Sequence, residues 1–177
     1  MGNIAEVTVT EGPPQLNDRN LAHYQLILDN SMFLTPTQKQ LDAFYRFVSG
    51  GKSYLAMHSG LVTFLNSERY PEIMGGRFLG GDDQSERMVF TFDAWYDYDY
   101  NDQGQHPIVR GLASFSIRNE LYFVQTNTDD LEVIARTEHH PVFWQRSWGK
   151  GRGMGLALGR EAVDNPGYQA LLQDSVR

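Results

Sequence analysis

The pattern of apolar residues along the chain predicts an α/β fold built on a mixed, mainly parallel sheet. The first half alternates compact apolar runs, which are typical of buried strands, with a strongly amphipathic helical segment. The second half is richer in strand patterns and contains a hairpin signal, so we expect the sheet to include antiparallel pairs. The 177 residues suit one domain over 1–177 with a hydrophobic core of its own.

The N-terminal part of the chain predicts two strands and then a helix. Glu6–Thr10 alternates apolar and polar residues, as a half-buried strand does, and Tyr24–Leu28 is an apolar run that favours a strand covered on both faces. A helix follows, for which Thr35 is the predicted N-cap and Gln38 its partner in a capping box, and Gly50 is expected to end it. Its apolar stripe at helical spacing is Leu41, Phe44, Tyr45 and Val48.

The rest of the chain predicts mostly strands. A helix is expected around Asn66–Met74, and a last helix is expected to start at the N-cap Asn165. The predicted strands are Ser53–Met57, Met88–Phe92, Glu120–Gln125 and Leu131–Ala135, followed by a hairpin of Pro141–Trp148 and Gly153–Leu158.

Composition excludes several classes of function. There are 15 Lys and Arg against 22 Asp and Glu, which gives a net charge of −7, and the chain has no cysteine. Thiolate metal sites, disulfides and cysteine nucleophiles are therefore excluded. An acidic chain without a basic stripe or a long apolar run predicts no nucleic-acid partner and no membrane partner. We expect a cytoplasmic location. The sequence leaves open whether the chain forms a homo-oligomer.

The most informative single residue is His58, at the predicted carboxyl end of the strand Ser53–Met57. In open α/β sheets ligands bind beyond the carboxyl ends of the strands. A histidine at such an end can act as a base, an acid or a metal ligand, or it can simply hold the turn through its hydrogen bonds. For His106, which precedes Pro107, a role in capping the backbone of a tight turn is favoured over ligand binding.

Four segments form a recognisable pattern when they are read together in their order and spacing: Gly50–Gly60, Met74–Gly80, His106–Leu112 with Asn119–Tyr122, and Pro141–Trp144 with Gly149–Arg152 and Ala157–Gly159. Together they resemble the trehalose-utilisation (ThuA-like) family. The resemblance implies a flavodoxin-like, class I glutamine amidotransferase-like fold, a three-layer sandwich. In amidotransferases a nucleophilic cysteine occupies the turn at which this sequence has His58.

The resemblance also implies a function in the catabolism of trehalose or related keto sugars. The expected partner is a small-molecule saccharide, bound at the carboxyl edge of the sheet with His58 as catalytic acid or base. The substrate-binding residues implied by the family motifs are Ser59, Gly76, Arg77, Phe78, Gly81 and Arg160. The alternative is a non-catalytic ligand-binding or interaction module derived from the same family.

Three departures from the family pattern qualify this expectation. Gly81 and Arg160 stand where the family usually has histidines, so no metal site and no cofactor are predicted, and Arg160 would supply a fixed positive charge instead. The family's first strand and helix are not found in the sequence, and Glu6–Thr10 matches its second strand. An uncovered strand edge is costly, so we expect the strands to close up, a partner chain to cover the edge, or the chain to belong to a longer product.

Overall fold

A five-stranded mixed sheet forms the centre of the fold. The computed structural model describes residues 4–79, 94–95, 106–109, 112, 116–117, 122–126, 131–136, 141–159 and 163–177. The strands are β1 (Leu26–Asp29), β2 (Ser53–Met57), β3 (Gly76–Phe78), β4 (Ala94–Trp95), β5 (Ser116–Ile117), β6 (Val124–Thr126), β7 (Glu132–Arg136), β8 (Pro141–Trp148) and β9 (Gly151–Leu156). The helices are α1 (Asp18–Leu21), α2 (Gln38–Ser49), α3 (Tyr70–Met74) and α4 (Pro166–Ser175), with 3₁₀ turns at Pro13–Gln15, His58–Val62 and Pro107–Val109.

The topology brings three strand ends to one edge of the main sheet. Its order is β1-β2-β9-β8-β7, in which β1, β2 and β9 pair in parallel. Strand β8 is antiparallel to both β9 and β7, as the predicted hairpin requires. The last residues of the parallel strands, Asp29, Met57 and Leu156, therefore lie at the same carboxyl edge. Two small antiparallel ladders, β3 with β6 and β4 with β5, complete the sheet structure of the described residues.

Helix α2 forms where its apolar stripe predicts, but it begins two residues later than expected. The N-cap is Thr37, and Oε1 of Gln40 accepts hydrogen bonds from the Thr37 amide at 2.8 Å and from the Thr37 hydroxyl at 3.0 Å. The predicted cap, Thr35, lies in the loop before it. All four residues of the predicted stripe are buried, with Phe44 and Val48 fully inaccessible.

Alternate glycines on β9 let the helices of one face approach the sheet closely. A Cβ atom at Gly151 would lie 2.1 Å from the carbonyl oxygen of Val48 at the end of α2. At Gly153 it would lie 2.1 Å from the carbonyl oxygen of Ile73 in α3. Real Cβ atoms do not come this close to a backbone oxygen, so only glycine fits at these two positions with the helices where they are.

The opposite face of the sheet is covered by α4 and the turn Pro107–Val109, which contact each other. Neighbouring residues of a strand point to opposite faces. Trp144 of β8 donates to the carbonyl of Met74 in α3, whereas the next residue, Gln145, contacts His106 beside the turn. Helices thus lie on both faces of a mixed sheet, which confirms the predicted α/β three-layer class.

The prediction of a strand over Glu6–Thr10 is wrong. The segment is irregular and exposed, with Val7 57% and Val9 87% accessible. An alternating pattern becomes a strand only where a neighbouring strand accepts and donates its backbone hydrogen bonds, and no described strand pairs with this segment. The helix predicted over Asn66–Met74 is limited to α3. The predicted strand Met88–Phe92 lies outside the described residues.

No helix among the described residues has the length and apolar character needed to cross a membrane.

Candidate functional site

His58 follows β2 directly and has an unusual backbone conformation. Its φ angle is +47°, in the left-handed region that residues with a Cβ atom adopt at a cost. The residue is the first of the turn His58–Val62, at the carboxyl edge of the sheet. Backbone strain of this kind is concentrated at functional sites, because the surrounding structure must hold it in place.

The imidazole of His58 packs against Tyr122 and against the backbone at Gly159. It stacks on the ring of Tyr122, with ring centroids 4.2 Å apart. On another side it lies so close to the backbone that a Cβ atom at Gly159 would be 2.4 Å from the ring. The Nε2 atom is buried. The turn therefore places His58 at the predicted edge, with its ring covered by Tyr122.

A cleft of about 210 Å³ lies beside this ring stack, between the segment 61–68, α3 and β3. Phe78 connects the two, because its ring contacts Tyr122 at a centroid distance of 5.0 Å and it also lines the cleft. The apolar lining includes Leu61, Phe64, Met74, Phe78 and Val124. The polar lining consists of Thr63, Ser67, Glu68, Tyr70 and Arg77.

Two of the polar lining residues are charged and exposed, namely Glu68 and Arg77. The others are buried and already hydrogen-bonded: the hydroxyl of Ser67 bonds to the Tyr45 hydroxyl, and it accepts from the Tyr70 amide at 3.0 Å. An apolar wall with one acidic and one basic side chain beside it is typical of a site for a small ligand that has both apolar and polar surface.

Behind the cleft lies a buried hydrogen-bonded network centred on Asp29, which is 9% exposed. Oδ1 of Asp29 accepts from the amide of Ser31 at 2.7 Å and from its hydroxyl at 2.5 Å. The Tyr54 hydroxyl bonds to Oδ2 of Asp29 at 2.9 Å and lies 3.1 Å from the Tyr70 hydroxyl. Tyr70 in turn donates to the carbonyl of Gly60 at 2.5 Å.

Burial dominates the electrostatics of this network. Desolvation raises the pKa of Asp29 above its usual value, against the hydrogen bonds from Ser31 and Tyr54 that favour the carboxylate. Desolvation, with the nearby Asp29 carboxyl second, also raises the pKa of Tyr54 and of Tyr70, so both phenols stay protonated. None of these three residues was identified from the sequence.

His106 caps its own turn, as the sequence predicts. Its Nδ1 accepts from the amide of Ile108 at 3.2 Å, and its Nε2 lies 2.9 Å from Nε2 of Gln145 and 3.6 Å from Oε1 of Glu132. Burial lowers the pKa of His106; Glu132 opposes this shift and Arg152 adds to it. Glu132, Gln145 and Arg152 also line a polar groove of about 300 Å³.

The structure brings three predicted substrate-binding residues together and leaves others apart. Gly76, Arg77 and Phe78 form β3 and all line the cleft. The Ser59 hydroxyl bonds to the side chain of Asn30 at 3.2 Å, and neither Ser59 nor His58 is among the residues lining the cleft in the described part of the chain. Gly81 and Arg160 lie outside the described residues.

Within the described ranges, no group of three or more His, Asp or Glu side chains is arranged to hold a metal ion.

Comparison with known proteins identifies the family. The model of the ThuA family, described as trehalose utilisation, matches residues 2–177. The chain belongs to the ThuA family. Membership associates it with trehalose utilisation, as the sequence motifs predict. A search of curated proteins finds no match.

Solved structures show the same fold at low sequence identity. A protein described as ThuA-like from Bacteroides uniformis has a TM-score of 0.72 at 18% identity, over 95% of this chain and 74% of that one. A cytoplasmic protein of Salmonella typhimurium LT2 has a TM-score of 0.68 at 12% identity, over 91% of this chain and 74% of that one. A β-galactosidase from Bacillus circulans has a TM-score of 0.59 at 18% identity, over 87% of this chain and 23% of that one.

Proposed function

We propose that this ThuA-family protein binds a saccharide, trehalose-derived or a related keto sugar, in the cleft between α3 and β3. The observation that supports this most directly is the position of Gly76, Arg77 and Phe78. The family motifs alone point to these three residues, and all three line the cleft. Phe78 would offer a ring to the apolar face of a sugar, while Arg77 and Glu68 would bond its hydroxyl groups.

The size of the cleft favours one sugar ring rather than a whole disaccharide. Pockets for drug-sized ligands commonly have volumes of ~300–1,000 Å³, whereas this cleft has about 210 Å³. The occurrence of the same fold as a part of a β-galactosidase agrees with a carbohydrate context. The cytoplasm is the proposed compartment, in agreement with the description of the Salmonella neighbour.

His58 is the proposed acid or base of a reaction on a keto sugar. The imidazole would remove a proton from the carbon next to the carbonyl group: the C–H bond breaks, the proton moves to the ring nitrogen, and the electron pair moves to the carbonyl oxygen. Arg160 would stabilise the resulting enolate charge. Proton transfer needs a heavy-atom distance of ~2.6–3.2 Å. Because Nε2 of His58 is buried, the surroundings of this nitrogen would have to open during this step.

The covered ring of His58 also favours a second candidate function, saccharide binding without chemistry. Its Nε2 atom is buried in the structure as it stands. Both candidates use the same cleft, and they differ only in whether His58 reaches the ligand.

Binding is tested by saturation-transfer NMR with glucose, trehalose and a keto sugar. We expect binding by the wild type and at least a tenfold weaker affinity for Phe78→Ala and Arg77→Ala, which corresponds to about 1.4 kcal/mol. Arg19→Ala is the matched control, since Arg19 is an exposed arginine in α1. If all three substitutions change the affinity equally, or if the wild type does not bind, the proposal that the cleft is the saccharide site is contradicted.

Chemistry is tested by exchange of substrate protons into heavy water. The acid–base function predicts exchange by the wild type and by His23→Ala, which removes an exposed histidine, and loss of exchange in His58→Ala. If all three proteins bind the saccharide and none exchanges its protons, the acid–base function is contradicted and saccharide binding without chemistry remains.

A further inference from the structure

Strand β1 lies at the edge of the main sheet and has backbone groups that no strand binds. In the described part of the chain, β1 pairs only with β2. The Ser53 amide donates to the Gln25 carbonyl at 2.9 Å, so Gln25 faces β2. In a parallel ladder alternate residues bond to the same neighbour. Leu26 and Leu28 therefore direct their N–H and C=O groups away from β2, to the free edge.

β1 itself carries none of the features that protect an edge strand. Native edge strands contain lysine, proline or a bulge that prevents another strand from pairing with them. The four residues of β1 are Leu-Ile-Leu-Asp, their register with β2 is regular, and the side chain of Leu28 is exposed. A regular, apolar edge of this kind is a template for one more strand.

The same chain contains a strand-forming segment that has no sheet. Glu6–Thr10 reads Glu-Val-Thr-Val-Thr, and valine and threonine are among the residues that most favour strands. Val7 and Val9 would share one face of a strand, yet both are exposed. Within the described ranges, no backbone hydrogen bond joins residues 6–10 to another part of the chain. The segment lacks only a neighbouring strand.

We propose that the protein forms a two-fold dimer by strand exchange, in which Glu6–Thr10 of each copy pairs with the free β1 edge of the other. Each residue of the segment has one N–H and one C=O group, which match the open groups of Leu26 and Leu28. Val7 and Val9 would lie on the same face as these two leucines, so apolar surface that is exposed in the single chain becomes buried. Because each copy contributes one strand and one edge, the contact is self-complementary and closes with two copies.

The anchoring of the chain after the segment favours a second copy over the chain's own edge. Nε2 of Gln40, in the first turn of α2, donates to the Pro13 carbonyl at 3.0 Å, and Arg46 in the same helix pairs with Asp18 at 2.8 Å. The connection from the segment to β1 is thus held along α2, and in the single chain the segment and the edge remain apart. The edge of a second copy can approach the exposed segment from outside.

The oligomeric state, measured by sedimentation velocity, tests the proposal. As the concentration of the wild type rises, we expect a species with twice the 20.2 kDa mass of one chain. The double variant Thr8→Pro/Val9→Pro should weaken dimerisation at least about tenfold. Only alternate amides of a strand face a given neighbour, so two successive prolines remove one donor in either register. The segment is irregular and exposed, so the fold of the single chain should not change.

A substitution on the other side of the contact provides an independent test. Leu28→Lys places a charge on the edge, as native edge strands do, and should also weaken dimerisation at least about tenfold. Val163→Lys is the matched control, because Val163 is an exposed apolar residue outside both β1 and the segment. It should leave the dimer intact.

Hydrogen exchange measured by mass spectrometry locates the contact. We expect the amides of residues 6–10, Leu26 and Leu28 to become protected together, and their protection to increase with protein concentration, because the contact joins two copies. A wild type that is still monomeric at about 1 mM would overturn the proposal. So would a dimer that both the double proline variant and Leu28→Lys leave intact, or protection that does not depend on concentration, which would mean pairing within one chain. None of these measurements depends on saccharide binding.

Discussion

The imidazole of His58 and the phenol ring of Tyr122 stack at a centroid distance of 4.2 Å with an angle of 28° between their planes. Tyr122 is 5% exposed, so it shields the face of the imidazole that it contacts. The candidate acid or base of the site therefore stacks on an aromatic ring that also contacts Phe78, which lines the cleft.

Replacement of Tyr122 by alanine should expose His58. We expect Tyr122→Ala to increase the rate at which diethyl pyrocarbonate modifies His58 several-fold, because the stacked ring is removed. His23 is already exposed and serves as the control within the same molecule. The free energy of unfolding should fall by about 3 kcal/mol, as for other buried aromatic residues changed to alanine. An unchanged rate at His58, measured by mass spectrometry, would show that Tyr122 does not limit access.

A methyl group at position 159 should displace the imidazole. The Cβ atom of Gly159→Ala would lie 2.4 Å from the His58 ring, and we expect a loss of about 1–3 kcal/mol in the free energy of unfolding by urea. Gly167→Ala, in the first turn of α4, is the control and should change stability by less than about 1 kcal/mol. Combination with His58→Ala should relieve the clash, so the double variant should lose less than the sum of the two single losses. If the losses of stability of the two single variants simply add in the double variant, the added methyl group does not clash with His58.

His106 should titrate below the usual pH range of a histidine. Burial is the main reason for its lowered pKa, and protonation of Nδ1 would also cost the bond from the Ile108 amide. The unfolded state then binds the proton more readily, so stability falls as the pH drops from about 6.5 toward the folded pKa. In an NMR titration, Glu132→Gln should lower the pKa of His106 further, and Arg152→Gln should raise it. Shifts of the opposite sign would contradict the assigned causes.

The indole of Trp144 should contribute through one buried hydrogen bond. Its Nε1 donates to the carbonyl of Met74 at 2.7 Å, and the side chain is fully buried. Trp144→Phe keeps most of the ring but leaves that carbonyl without its donor, which costs about 1–3 kcal/mol. Trp148→Phe keeps an aromatic ring near Arg69 and should cost less in the same urea unfolding experiment. Equal losses would mean that packing, and not the hydrogen bond, sets the effect.

The helix α2 illustrates what local sequence can and cannot specify. Its apolar stripe repeats at helical spacing, and this alone predicts the helix and its buried face. The start is ambiguous, because a Thr followed three residues later by Gln occurs twice, as Thr35 with Gln38 and as Thr37 with Gln40. Only the structure shows that Thr37 takes the extended backbone of an N-cap. Patterns therefore identify elements better than they identify their ends.

The residues of the candidate site also differ in how well the sequence predicts them. A contiguous family motif predicts three of the binding residues, namely Gly76, Arg77 and Phe78, and all three line one cleft. Asp29, Tyr54 and Tyr70 meet only through the pairing of β1 with β2 and the packing of α3, which the order of residues does not encode locally. The one signal in the sequence was a carboxylate at the end of an apolar run, where a charge would be unfavourable.

The bare backbone presented by β9 to α2 and α3 has a consequence for engineering this fold. Any residue with a Cβ atom should destabilise the fold at Gly151 or Gly153, because both glycines lie directly beneath helix carbonyls. Arg152, between them, points to the other face and is exposed. A randomised library over β9 should therefore retain glycine at 151 and 153 and apolar side chains at the buried positions Met154 and Leu156, and should vary freely at Arg152.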